Sequence, residues 1–161
     1  MSVPLSSEQT AFLQGPVSIN VAATGGDGWP VVCRAQGCTV ARDRRSVTLL
    51  LSARQASAVL AALGPNRAIA AVFSRPASHA TLQIKGRGAA RVPLTAAHRA
   101  CNARYSNQLG AELGNLGYGS ELVQGLKQML SASDLVAVRL SPDVIFDQTP
   151  GPEAGRVLAR A

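Results

Sequence analysis

A chain of 161 residues, 47% hydrophobic and only 16% charged, has the length of one ordinary domain and the apolar content for a sizeable core, which excludes a disordered or fibrous class. The longest apolar runs, VTLLL and AVLAAL, fall far short of the ~20 residues of a membrane span, and the start MSVPLSSEQT lacks the sections of a signal peptide, so a cytoplasmic protein with no membrane partner is expected. The formal charge of +7 comes from fourteen arginines and two lysines scattered among 4% aromatics; nucleic-acid binders cluster charge and add stacking rings, so no nucleic-acid partner is expected.

Taken in chain order, the first 52 residues carry three strand-like runs, at 17–23, 31–40 and 47–52, separated by TGGDGWP and ARDRR. Glycine supplies the positive φ of tight hairpin turns, so two antiparallel hairpins are expected, the second with a solvated basic turn. Cys33 and Cys38 lie five apart, and on a regular strand they would point to opposite faces and share no metal. With Cys101 they read as small packing residues of a reducing compartment.

The period then changes. In SARQASAVLAALGPN, Ala53, Ala56, Val59, Leu60 and Leu63 recur at helical spacing, with Ser52 as N-cap and Gly64-Pro65 as stop. Strand character resumes in RAIAAVFS and in HATLQIKGRGAARV, where Thr81, Gln83, Lys85 and Arg87 share one parity and Leu82, Ile84 and Gly86 the other. A helix is expected from about 95 to 113, then a break at GNLGYGS, and a helix capped by Ser120 with Leu122, Val123, Leu126, Met129 and Leu130 as its apolar stripe. A last strand, DLVAVRLS, leads into PDVIFDQTPGPEAG. Six strands with helical excursions make the fold class mainly β with helices, a small antiparallel barrel within a single domain, 1–161.

Most chemical motifs are absent. GRGAAR and GNLGYGS match neither a dinucleotide fingerprint nor a Walker loop, and there is no G-x-S-x-G elbow. Two histidines, His79 and His98, are too few for a metal site, so no metal is expected. One local feature remains: the strand ending at Leu51 runs into a first helical turn carrying Ser52 and Arg54, which joins backbone N–H groups, a hydroxyl and a guanidinium as a phosphate seat does. An ordinary cap with a solvated arginine has the same pattern.

The order of elements, with GPVSINVAATGGDGWPVVCRAQG, the strand into SARQASAVLAALGPNRAIAAVFS, and TLQIKGRG, resembles the pyridoxamine 5′-phosphate oxidase-like flavin-binding split barrels from about residue 11 to residue 158. The resemblance implies a six-stranded antiparallel split barrel of the FMN-binding type and a homodimer with flavin mononucleotide at its interface. It assigns the phosphate to Arg34 on the second strand and to Ser52, Arg54 and Ser57 after the third. It sets Thr81, Gln83 and Lys85 against the flavin ring, and it implies an FMN-dependent oxidoreductase acting on a small-molecule substrate. No catalytic residue is assigned. Residues that grip pyridoxal phosphate in the oxidases have no match in FDQTPGPEAGR, which argues against pyridoxamine phosphate as the substrate. A non-catalytic flavin or haem carrier and a deazaflavin-dependent reductase are the alternatives on the same fold.

Overall fold

The computed structural model describes residues 2–161. Its elements run α1 (Ser7–Leu13), β1 (Ser18–Thr24), β2 (Pro30–Arg34), β3 (Cys38–Val40), β4 (Val47–Ser52), α2 (Ser57–Ala61), β5 (Ala68–Ser74), β6 (Thr81–Arg87) and β7 (Ala90–Val92). They continue with α3 (Ala96–Asn115), α4 (Ser120–Met129), β8 (Leu135–Leu140), β9 (Val144–Asp147) and β10 (Val157–Arg160). One sheet has the order β10-β9-β6-β5-β1-β2 and the other β3-β4-β8-β7, and every pairing is antiparallel.

The two sheets share three bent strands. β2 continues into β3, β6 into β7 and β8 into β9, each crossing a two- or three-residue corner. Gly37 and Gly88 turn two of these corners with φ of +123° and +67°, angles that residues with a Cβ rarely adopt, and Pro142 stands in the third. With each bent pair taken as one, six staves close on themselves, and β10 is added at an edge. This is the six-stranded antiparallel split barrel that the resemblance implies.

Alternation fills the interior. Ile19, Val21 and Ala23 of β1 point inward, as do Ile69, Ala71 and Phe73 of β5 and Ile84 and Gly86 of β6. A Cβ at Gly86 would strike the Ser141 carbonyl and a Leu140 methyl, so the barrel wall needs glycine there. β4 is buried on both faces. Its outward Leu50 packs with Cys101 of α3 and with Leu135 and Ala137.

Several local expectations change. Gly37 breaks the run 31–40, so Cys33 and Cys38, expected on opposite faces, both end in the core. The helix expected from Ser52 onwards begins only at Ser57, after a turn, and Ala56 precedes it without a side-chain cap. Gly119, not Ser120, is the N-cap of α4. α1 was not anticipated, although Ser6 and Gln9 form its capping box. The ARDRR turn is not merely solvated: Arg44 Nη1 donates to Ser7 Oγ at 2.7 Å and Arg45 Nη1 to the Ser2 carbonyl at 2.6 Å, tying down the N-terminal segment. Among the described residues no helix is long and apolar enough to cross a membrane.

Candidate functional site

The outer face of the six-stranded sheet collects four of the sequence-predicted residues. Directly opposed residues of antiparallel strands share a face, and the pairing sets Arg34 opposite Asn20, Asn20 opposite Val72, Val72 opposite Gln83 and Gln83 opposite Phe146. These five side chains therefore form one row across β2, β1, β5, β6 and β9. The next row is Val32, Ala22, Ala70, Lys85 and Val144. With strands about 4.8 Å apart, Arg34 and Gln83 stand roughly 14 Å from one another with Asn20 and Val72 between them.

The polar parity of β6 is not free to solvent along its length. Thr81 is buried, and its hydroxyl meets Ser74 Oγ at 2.9 Å and the His79 carbonyl at 2.9 Å. Gln83 Oε1 accepts from Gln148 Nε2 at 3.2 Å. Lys85 is exposed, with Nζ 5.0 Å from the centroid of the Phe146 ring, within the range of a cation–π contact. It borders a cavity of about 460 Å³ floored by Ala22, Ala68 and Ala70 and walled by Arg87 and Asp143, a volume that suits a small molecule or cofactor.

Arg34 ends β2 half-buried, and its Nε is enclosed without a hydrogen-bond partner. An enclosed guanidinium nitrogen without an acceptor is the kind of group that an anion satisfies. The other expected phosphate contacts are arranged differently. Ser52 is buried, and its hydroxyl donates to Asp134 Oδ2 at 3.0 Å and accepts from the Gln55 amide at 3.3 Å. The Arg54 amide donates to the same Oδ2 at 2.8 Å. The notch after β4 is thus an anion seat, as the local pattern suggests, but the anion in it is a carboxylate of the chain. The Arg54 amide foremost, then the Ser52 hydroxyl, hold Asp134 below the usual carboxylate range against some desolvation.

The Arg54 side chain itself is exposed and makes no ion pair among the described residues. Ser57, also exposed, opens α2, which packs beside β2 and β1. The structure therefore brings Arg34, Gln83 and Lys85 to one face with Thr81 at its margin, and gathers Ser52, Arg54 and Ser57 at the end of β4. Sequence reasoning missed Asp134, Phe146 and Tyr105. Phe146 lies in a strand too short to stand out, and Tyr105 meets Arg34 only through the packing of α3.

The thiols and histidines take no part. All three cysteines are buried and free. His98 closes the capping box of α3, its Nδ1 accepting from the Thr95 amide at 3.2 Å. His79 sits in the β5–β6 turn with φ of +58°. Among the described residues no cluster of three metal-ligating side chains forms.

No family model matches the chain. No curated protein matches it. Solved structures do. HupZ of Group A Streptococcus is 13% identical, with 94% of this chain and 99% of that chain covered at a TM-score of 0.57. A protein of Lactobacillus delbrueckii, provisionally described as a pyridoxamine 5′-phosphate oxidase, is 15% identical, with 89% and 93% covered at a TM-score of 0.52. At these identities the likeness is one of fold. The chain has the split-barrel fold of the pyridoxamine 5′-phosphate oxidase-like proteins, the family that its sequence resembles.

Proposed function

We propose that the protein binds flavin mononucleotide on the outer face of its six-stranded sheet, as a homodimer, and uses it as an oxidoreductase acting on a small molecule. The observation that supports this most is the row from Arg34 to Gln83: an enclosed guanidinium nitrogen without a well-aligned partner at one end, an amide at the other, and Asn20 and Val72 between, beside the alanines of the next row. Arg34 would take the acidic end of the ligand, and Arg54, whose guanidinium is free, would add charge from the turn before α2. Ser52 fits less well, since Asp134 occupies its hydroxyl. Gln83 would hydrogen-bond the polar edge of the ring, and Lys85 would face it across the cavity. When bound, the flavin supplies hydride transfer; the protein supplies position and charge.

Absorbance of the purified protein is the direct test. A bound flavin gives the yellow spectrum, and a Soret band instead would transfer the reading to haem. Titration of flavin-free protein should show FMN binding more tightly than riboflavin, which lacks the phosphate. A charge-assisted contact contributes about 1.5 to 3 kcal/mol, so Arg34→Ala should weaken FMN binding roughly tenfold or more. Equal affinity for FMN and riboflavin in the parent would overturn the assignment of Arg34.

A further inference from the structure

Among the described residues, two buried side-chain polar atoms lack a hydrogen-bond partner, Arg34 Nε and Tyr105 Oη. They belong together. The Arg34 guanidinium lies within hydrogen-bonding reach of the Tyr105 hydroxyl and acts on its charge, but the two are too poorly aligned to satisfy each other. Buried polar groups are partnered in roughly nine cases out of ten or more, and each exception asks for a cause. Two exceptions side by side ask for a shared one.

Tyr105 belongs to α3, and the barrel corner is built on its ring. At Gly37, three residues after Arg34, a Cβ would stand 3.3 Å from Tyr105 Cβ and 3.5 Å from its Cγ. The corner therefore fixes both the strand that carries Arg34 and the ring beside it. Burial pushes the Tyr105 hydroxyl up to about 12 against the opposing charge of Arg34, so it stays protonated at neutral pH. In the notch, the Asp134 carboxylate occupies the Ser52 hydroxyl and the Arg54 amide, which leaves only the exposed Arg54 guanidinium for a ligand and nothing there to brace Arg34 from behind.

We infer that Tyr105 is the positioning residue of the anion site: its hydroxyl backs the Nε edge of Arg34 and turns the terminal guanidinium nitrogens towards a phosphate monoester on the outer face of the sheet. This rests on the reading of Arg34 given above, and it adds a residue from a different element. A guanidinium grips phosphate in two-pronged fashion only when its plane is fixed. The tyrosine fixes it.

Tyr105→Phe keeps the ring and removes only the hydroxyl. Because that hydroxyl has no well-aligned hydrogen bond in the fold, the variant should melt within about a degree or two of the parent. A hydroxyl that served the fold alone would lower the melting temperature and leave the preference for FMN over riboflavin intact, which would overturn the inference. Followed by flavin fluorescence, FMN binding should weaken roughly tenfold, in the range of one lost charge-linked contact, while riboflavin binding stays unchanged. Equal losses for both flavins, or no loss for FMN, would also remove Tyr105 from the site. Arg34→Lys keeps the charge without the Nε edge, so it should lose the preference too, and adding Tyr105→Phe to it should cost nothing more. A parent without any preference for FMN refutes the Arg34 reading and this one together, whereas a parent and a Tyr105→Phe variant that share the preference refute this one alone.

Discussion

At Asp134 the chain supplies its own anion, and the consequence is measurable as a pH dependence. The native carboxylate is held below its ordinary range by the Arg54 amide and the Ser52 hydroxyl. A depressed native value contributes stability that is present above the unfolded value of about 3.9 and is lost as pH falls through the lower native one. The stability gap between the parent and Asp134→Asn, read from urea midpoints, should therefore be widest near neutrality and close on acidification; a gap constant with pH would mean that the carboxylate charge is not what the notch holds. The cysteines behave in the opposite sense. Burial pushes Cys33 up to about 11 and raises Cys38 and Cys101 as well, and only the thiolate is a nucleophile. The native protein at pH 8 should leave an aromatic disulfide reagent almost unreacted, with all three thiols released on denaturation. Rapid reaction of one thiol would mark an opening of the barrel wall. A reactive site is legible at this scale only where local residues make it: the polar parity at Gln83 and Lys85 can be read from alternation, but the capture of Ser52 by a residue 82 positions away cannot.

Between elements, the two long helices are locked to the barrel by two buried side-chain amides, Asn102 and Gln36. Asn102 Nδ2 donates to the Gln36 carbonyl at 2.8 Å and to the Leu130 carbonyl at 2.7 Å, while Gln36 Nε2 reaches the Met129 carbonyl and its Oε1 accepts from the Ala132 amide. α3, the end of α4 and the corner between β2 and β3 thus meet at a single point. Asn102→Ala leaves two buried carbonyls unpaired and should cost about 2 kcal/mol, since each unsatisfied group costs ~1–3 kcal/mol less any relaxation; chemical denaturation measures it. A loss under about 0.5 kcal/mol, the range of surface substitutions, would mean that α3 is held by packing alone. The element scale is also where the sequence was most legible. The strand expected at 47–52 coincides with β4, and the helix expected from 95 to 113 lies within one or two residues of α3, because each has a strong period and clear ends. The run 31–40 read as one strand, since nothing in its pattern shows that Gly37 takes a φ of +123°. β9 and β10 went unread because four residues give too short a pattern, and α2 shrank to five because tertiary hydrogen bonds took over its first turn.

For the whole molecule, the outer sheet face that carries Arg34 and Gln83 also carries apolar surface that one chain does not cover. Val32 is 64% exposed. Val32 shares a row with Ala22 and Ala70, beside the Val72 row. Single exposed apolar residues are ordinary on a protein surface, but a run of them on one sheet face next to a cavity is the character of an interface. The other sheet differs: α3 lies over its outer face and buries Leu50 and Ala137. We propose that a second copy covers the open face about a two-fold axis, using the same patch twice, which would enclose the flavin row between protomers. A stable interface of this kind buries about 800 Å² per partner, close to a tenth of the 8362 Å² surface of the chain. Light scattering at micromolar concentration should therefore give twice the 16.6 kDa of one chain. Val32→Asp, which puts a charge on each copy of the shared apolar patch, should return it to the monomer without unfolding it, because Val32 is exposed and not part of the core. If the ligand row is completed by the partner, the same variant should lose FMN affinity in step with its dissociation. Flavin binding that persists in the monomer would confine the site to one chain, and a monomeric parent would leave the open face to another partner.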